Sequence, residues 1–335
     1  MQDLKISVVM AAKNVEPYLE ACLDSILAQT YENWELIVVD DHSTDRTHDI
    51  IQQYGSRDAR IRCYRSEGEK LNPALITDKK YIDGDLVNRM DADDLMPKYK
   101  LEVMHEAWIE HGRGFIAAGG TQHFVDEGEV GDGFIRYDAW LNQLAENGTH
   151  YQEIYRECVI PSHCWLIHRD DFMTIGGFQD VYPEDYDLCF RFYQNNLEII
   201  PINKVLHHWR DRSDRISRTW EVYKDNRYFE LKLQYFFEID YDQSKHLVVW
   251  GAGRNGKDLV KAIQKRGIPL SWVSNNSKKV GKEIYGIVLN TVEWIFTQND
   301  AQLLIAVSNP EEQTAIRRLL QANDLEEARD FWFFL

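Results

Sequence analysis

The chain has 335 residues, 44% hydrophobic and 12% aromatic, with 38 basic and 55 acidic side chains and a formal net charge of −17. That length suits two domains better than one core, and the composition excludes a disordered chain. The charge argues against tight non-specific binding to nucleic acid or an anionic surface, so a phosphate-bearing ligand needs a bridging metal or a local basic cluster.

Cys22, Cys63, Cys158, Cys164 and Cys189 form no C-x-x-C pair and read as reduced cytosolic thiols. No apolar run approaches the roughly 18 residues that span a bilayer, and no basic n-region precedes the first apolar run. The expected location is the cytoplasm, with peripheral contact at the inner face of the membrane left open.

In chain order, Ile6 to Met10 reads as a buried strand, and Leu19, Cys22, Leu23, Ile26 and Leu27 recur at helical spacing after it. "WELIVVDDHSTDRT" is a second apolar strand running into polar residues, with another helix around "HDIIQQY". Strand, helix, strand, helix predicts an α/β fold with a mostly parallel sheet and flanking helices, whose ligands gather beyond the carboxyl ends of the strands. Lys13 and Asn14 follow the first strand, Asp40 to Ser43 the second, and "DLVNRMDADD" repeats the arrangement.

Residues 120–175 are irregular, with "GEVGDG" and a helix near "DAWLNQLAEN", as expected of a substrate-shaping insertion. A strand in "VIPSHCWLIH", a short helix ending at Gly176 and Gly177, and a helix after "PED" follow, the last burying Leu188, Phe190, Phe192 and Tyr193. An amphipathic stretch then leads to "HLVVWGAGRNGKDL", a strand, glycine turn and helix that open a second α/β domain. The expected boundaries are 1–222, a helical linker at 223–244, and 245–335.

Three aspartates in four positions, Asp91, Asp93 and Asp94, repel one another, so something other than fold stability should retain them. Hard carboxylate oxygens suit Mg²⁺ or Mn²⁺. An acidic turn capping a helix after Pro97 is the alternative, and Asp94 is assigned to that cap.

The ordered set "VVMAAKN", "VVDDHSTD", "RMDADDLMP", "GGF", "PEDYDL" and "HHWRDRSDRIS", over about residues 4–220, resembles the family 2 glycosyltransferases of GT-A fold. These enzymes move a sugar from a nucleotide-diphosphate donor with inversion. The resemblance implies nucleotide contacts from Ala11, Ala12, Asn14, Glu16, Asp40, Asp41, Arg89, Asp91 and Ala92, with Asp41 at the base edge. It implies a divalent ion on Asp91 and Asp93, with His208 joining its shell, and Arg210 on the diphosphate. Asp185 becomes the general base, since inverting transfer needs one group to take the acceptor's proton, and Glu184 orients it or binds acceptor or sugar hydroxyls.

Against these stand plainer readings, in which "DDHSTD" is a turn and "PED" complements a helix dipole. Lys13 stands where many relatives have tyrosine, which leaves the base open. His163, His168 and Cys164 read as core or acceptor-side residues.

The expected function is metal-dependent inverting transfer from a nucleotide sugar, UDP-linked by preference, to a carbohydrate, lipid-linked or other hydroxyl acceptor in polysaccharide or glycoconjugate synthesis. Nucleic acid is excluded as a partner, and homo-oligomer contact is left open. A sugar nucleotidyltransferase would carry a glycine-rich basic loop where "AAKNVEPY" has none. An oxidoreductase or nucleotide sensor would rest on Gly251, Gly253 and Gly256 alone, without an acidic ribose partner at the next strand end. The tail also resembles Rossmann-like domains appended to some sugar-transfer enzymes, which implies a structural, acceptor-positioning or assembly role.

Overall fold

A computed structural model describes residues 3–212, 215, 227–298 and 300–335. The chain divides into two units, Met1–His150 with Val159–Lys224 and Tyr151–Cys158 with Asp225–Leu335.

In the first unit, β1 (Ile6–Ala12), β2 (Trp34–Asp40), β3 (Ile61–Arg65), β4 (Leu86–Arg89), β5 (Phe115–Phe124), β6 (Trp165–His168) and β7 (Glu198–Arg210) form one sheet in the order β3-β2-β1-β4-β6-β5-β7. Every residue of β2 and all but Ala11 of β1 are buried, because helices cover both faces of a parallel sheet. The helices are α1 (Glu16–Leu27), α2 (Thr47–Arg57), α3 (Leu71–Lys79), α4 (Lys100–Ile109), α5 (Asp132–Asn147), α6 (Arg169–Thr174) and α7 (Glu184–Gln194).

Register decides where the polar strand ends meet. Ala12 pairs with Asp40, and Val9 with Arg89, so the carboxyl ends of β1, β2 and β4 finish at one edge. β6 runs antiparallel to both β4 and β5 and brings His163, just before it, to that same edge, while β5 and β7 run parallel to each other.

The β5–β7 pair is an element the apolar pattern did not announce. Its register shifts around Gly119 and Gly120. A Cβ on Gly119 would lie 2.5 Å from Leu206 Cδ1, and one on Gly120 2.3 Å from Asn142 Oδ1. The missing side chains let α5 dock, with Asn142 Oδ1 accepting from Thr121 N at 2.9 Å and Asn142 Nδ2 donating to Thr121 O at 3.0 Å.

The second unit holds β8 (His246–Trp250), β9 (Ser271–Val273), β10 (Glu283–Ile284), β11 (Ile287–Asn290), β12 (Ala301–Ile305) and β13 (Phe331–Phe333), ordered β10-β11-β9-β8-β12-β13. It takes in the helix Phe229–Ile239, and also Tyr151–Cys158: Tyr155 stacks on Phe334 at 5.3 Å and donates to Asp240 Oδ2 at 2.6 Å. No helix among the described residues is long and apolar enough to cross a membrane.

At the glycine turn after β8, Gly251 has φ +119, and a Cβ on Gly256 would fall 1.9 Å from Gly251 O. Helix and strand touch through backbone there. Gly256→Ala should therefore lower the unfolding free energy of the second unit by about 3 kcal/mol, the overpacking range, read as an earlier thermal or urea transition. A variant as stable as the parent would show that this contact yields without strain.

Candidate active site

The loops between β1 and α1 and between β2 and α2 are tied to each other. Asn14 Oδ1 accepts from Thr44 N at 2.8 Å, Glu16 Oε2 accepts from Arg46 N at 3.1 Å, and Thr47 Oγ1 accepts from Val15 N at 2.9 Å. Asn14 and Glu16, expected at the nucleotide, thus tie the two loops together, and Ala11 and Ala12 close β1 beside them, Ala12 buried and Ala11 half-buried.

Asp40 is fully buried and committed: Oδ1 accepts from Ser43 N at 3.0 Å, while Oδ2 lies 2.9 Å from Arg65 and 3.2 Å from His48. Asp41 accepts from Lys70 N at 2.9 and 3.0 Å and pairs with Lys13 Nζ at 2.9 Å. Those bonds hold Lys70 at φ +87, a strained backbone for a residue with a side chain. Lys13, the departure from the family's tyrosine, is therefore the partner of the residue expected at the base.

The acidic loop leaves β4 with Met90 N bonded to Val9 O at 2.9 Å and turns on a bond from Asp94 N to Asp91 O at 3.2 Å. Arg89, expected at the nucleotide, has a different task. Its Nε donates to Asp91 Oδ1 at 3.0 Å and its Nη1 to Glu184 Oε1 at 2.9 Å, with the side chain 5% exposed. One guanidinium thereby joins the D-x-D loop to the first turn of α7. Burial pushes the Asp91 carboxyl up, but Arg89 and His163 outweigh it and hold the group below the usual carboxylate range.

Asp94 is not a helix cap. α4 begins later, at Lys100, with Tyr99 in the cap position and no side-chain cap bond. Asp94 instead accepts from Arg210 N at 2.7 Å and from His207 Nε2 at 2.9 Å. Lys100, fully buried, donates to His163 O at 2.7 Å and meets His207 Nδ1 at 3.4 Å. An ammonium can only donate, so His207 Nδ1 accepts and Nε2 carries the hydrogen given to Asp94. Burial lowers the Lys100 ammonium to about 8 and the His163 imidazole to about 4.

Arg210, expected on a diphosphate, is likewise turned to the loop. Its Nε donates to Asp93 O at 2.7 Å, its Nη1 pairs with Asp126, and its guanidinium lies over Tyr18 and Phe124. The Asp93 carboxylate is paired with Arg212 Nε at 2.8 Å.

The loop's chemistry fits a hard divalent ion. Asp93 Oδ1 takes no hydrogen bond among the described residues, and Asp91 Oδ2 has only His163 Nδ1, 3.7 Å away. Each carboxylate thus keeps an oxygen for a cation. His207 has both nitrogens engaged. His208, on the other side of β7 by strand alternation, bonds Leu95 only through its backbone, and burial lowers its imidazole, leaving a neutral ring. Buried Ala92 supplies no side-chain ligand between the aspartates.

In the first turn of α7, Glu184 is buried on Arg89 and Asp185 is half-buried. Asp187 pairs with Arg191 Nε at 2.8 Å, so it serves the helix. Lys100 is a residue of this edge that sequence reasoning passed over, since a lysine on an apolar helix face carries no local signature, and His163, read from sequence as a core or acceptor-side residue, is buried beside the acidic loop, 3.7 Å from Asp91 Oδ2. The "DRSDRIS" continuation of the last motif lies outside the described residues except for Asp211, Arg212 and Arg215.

The profile of Glycosyl transferase family 2 matches residues 7–176. GlyA of Streptococcus pneumoniae serotype 4, a glycosyltransferase, is 28% identical over 224 residues, or 65% of this chain and 32% of GlyA, so the chain spans about a third of that relative. EpsE of Bacillus subtilis is 30% identical over 221 residues, 64% of this chain and 76% of EpsE. WfgD of Escherichia coli, a UDP-Glc:alpha-D-GlcNAc-diphosphoundecaprenol beta-1,3-glucosyltransferase, is 27% identical over 237 residues, 70% of this chain and 85% of WfgD. Among solved structures, S. aureus TarS 1-349 in complex with UDP-GlcNAc superposes with a TM-score of 0.56 at 16% identity, covering 78% of this chain and 73% of that one, a likeness of fold.

Two outcomes follow from the buried charges. Arg89→Met leaves the Asp91 and Glu184 carboxylates without their shared cation, and should reduce unfolding free energy by about 3–5 kcal/mol in urea titrations. A loss below 1 kcal/mol would mean that the pair is solvated.

The second outcome concerns pH. Unfolded histidine takes its proton near 6.5, whereas folded His163 holds out to about 4. The unfolded state therefore binds more protons between those values, and His163 alone should withdraw up to about 3 kcal/mol of stability as pH falls from 6.5 to 4, in addition to what His150 and His207, likewise lowered by burial, withdraw. His163→Gln should flatten that slope.

Proposed function

This chain belongs to glycosyl transferase family 2, and we propose that its first unit, of GT-A fold, transfers a sugar from a nucleoside-diphosphate donor to a hydroxyl acceptor with inversion. The observation that carries the reading is the meeting of two acidic motifs on one buried arginine: Arg89 holds Asp91 at 3.0 Å and Glu184 at 2.9 Å.

The donor's nucleoside lies along Ala11, Ala12, Asn14, Glu16, Asp40 and Asp41, with Asp41 accepting from the base. A UDP sugar is the preferred donor, supported by the substrate named for WfgD. Asp91 and Asp93 would hold Mg²⁺ or Mn²⁺, with His208 as a third ligand. When bound, that ion neutralises the diphosphate and stabilises it as leaving group. Arg210 serves by fixing Asp93, and Arg212 supplies the nearer positive charge.

Asp185 takes the proton of the acceptor hydroxyl as its oxygen attacks the anomeric carbon. The bond from that carbon to the diphosphate oxygen breaks on the opposite face, and the electron pair leaves with the diphosphate. Glu184, pinned by Arg89, sets the position of Asp185. The acceptor is a saccharide, lipid-linked or other hydroxyl compound, and work at the inner face of the membrane fits the diphosphoundecaprenol acceptor named for WfgD.

For the second unit we favour a structural, acceptor-positioning or assembly role over dinucleotide binding. Lys279 Nζ donates to Ala252 O at 2.5 Å inside the glycine turn, and β9 is followed by Ser274, Asn275 and Asn276 without an acid.

Calorimetric titration with UDP should show binding that needs Mn²⁺ or Mg²⁺ and is lost in Asp93→Ala. Asp185→Asn should keep that binding while donor turnover falls by about 10²–10⁴-fold, the range for losing a general base. Metal-independent binding, or normal turnover in Asp185→Asn, would overturn the corresponding assignment.

A further inference from the structure

Each of the two aspartates that keep an oxygen for a cation has an arginine on its other oxygen, and the two arginines are held differently. Arg89, with its side chain 5% exposed, is shared between Asp91 Oδ1 and Glu184 Oε1, so it cannot leave one without stranding the other in the interior. Arg212 lies beyond the last residue of β7. Its Nε donates to Asp93 Oδ2 at 2.8 Å, and the two side chains are 19% and 16% exposed.

A second support holds Arg212 without using a hydrogen-bond donor. Its guanidinium lies over the ring of Tyr18, on α1, 5.2 Å from the centroid. Arg210 lies over the same ring at 5.0 Å, but its bonds go to the Asp94 carboxylate, the Asp93 carbonyl and Asp126, and none of them uses the Asp93 carboxylate. A ring face attracts a guanidinium through its quadrupole and leaves the N–H groups in the guanidinium plane for anions. The ring contact of Arg212 therefore does not depend on which anion it pairs with.

We propose that Arg212 stands in for the divalent ion on Asp93, and that it passes to the donor's diphosphate when that carboxylate takes the ion. This rests on the transfer reading above and adds an order to it, in which an arginine fills part of the metal site until a diphosphate arrives. In the empty chain Asp93 has Arg212 as its counter-ion, so a free cation must displace a guanidinium that gains no other anion. With the diphosphate present, the displaced guanidinium has phosphate oxygens to pair with, in charge-assisted bonds that can be bidentate. Arg89 cannot make the same move, because Glu184 depends on it. Linkage then makes ion and diphosphate cooperate, each raising the affinity of the other by one common factor.

Titration of the full chain with Mn²⁺, the free ion read by electron paramagnetic resonance and Asp93→Ala serving as the blank for other acidic sites, tests this. Without nucleotide, Arg212→Met should bind Mn²⁺ about tenfold tighter than the parent, a factor within the usual range of couplings. At saturating Mn²⁺ the same variant should bind UDP about tenfold more weakly. Arg212→Lys, which keeps the charge, should stay within about threefold of the parent in both measurements. Arg215→Met removes an equal charge from a guanidinium that lies over Trp209, and should tighten Mn²⁺ by less than about threefold.

Unchanged Mn²⁺ affinity in Arg212→Met overturns the inference, since Arg212 would then not compete for Asp93. Equal tightening in Arg212→Met and Arg215→Met also overturns it, since net charge alone would account for the gain. UDP bound as tightly by Arg212→Met as by the parent removes the passage to the diphosphate. A parent chain that binds no Mn²⁺ even with UDP removes the metal-dependent transfer reading; a parent that binds both, with Arg212→Met identical to it, keeps that reading and removes only the exchange.

Discussion

A single guanidinium between two carboxylates, one of them 95 residues from it in sequence, sets the geometry of this edge, because Arg89 bonds Asp91 on one side and Glu184 on the other. Side chains of this kind are held out of water, where an unpartnered carboxylate is expensive and two close together are worse. Each acid therefore depends on the arginine, and the arginine on both. The start of α7 cannot drift from the end of β4 without stranding a charge, so Asp185 keeps its distance from the acidic loop.

Behind that junction, the cations of an acidic chain are spent on its own carboxylates. Lys100 steers His207 onto Asp94, Arg210 grips the backbone carbonyl of Asp93 with its guanidinium and the Asp94 carboxylate with its own N–H, and Arg212 pairs with Asp93. The result is a loop whose backbone is clamped while Asp93 Oδ1 stays without a hydrogen bond among the described residues. A net charge of −17 then stops being an obstacle to an anionic donor. The local field is set by pairs within a few ångströms, and distant surface charge is screened by salt over about 10 Å.

Period and strand-end chemistry made the parallel core legible. β1 and β2 are largely apolar runs followed by Asn14 and Asp41, β4 repeats the polar end with Asp91 after it, and the observed register brings those ends together. The long β5–β7 pair was not legible, since Gly119 and Gly120 break its pattern for reasons that lie in Leu206 and Asn142. Nor was the transfer of Tyr151–Cys158 to the second unit, which depends on a tyrosine stacking on Phe334 far along the chain. Motifs name residue types at short spacing; they do not say which of two adjacent charges is turned to a ligand and which to a neighbour. Arg89 and Arg210 both stood out by sequence as ligand contacts, and both are turned to carboxylates or backbone of the acidic loop.

The same distinction bears on the three acids of "PEDYD". Successive residues of a helix point about 100° apart, so Glu184, Asp185 and Asp187 face three directions from one turn. Glu184 faces the interior and is neutralised by Arg89; Asp187 faces along the helix and is bonded to Arg191. A general base must reach solvent-side substrate and must bind a proton readily, which a carboxylate locked onto a guanidinium does poorly. Half-buried Asp185 is the member whose exposure supports that task. On this view the two flanking acids act as anchors, and an acid at either position exchanged for its amide would disturb the helix start or the arginine junction before it touched the proton transfer itself.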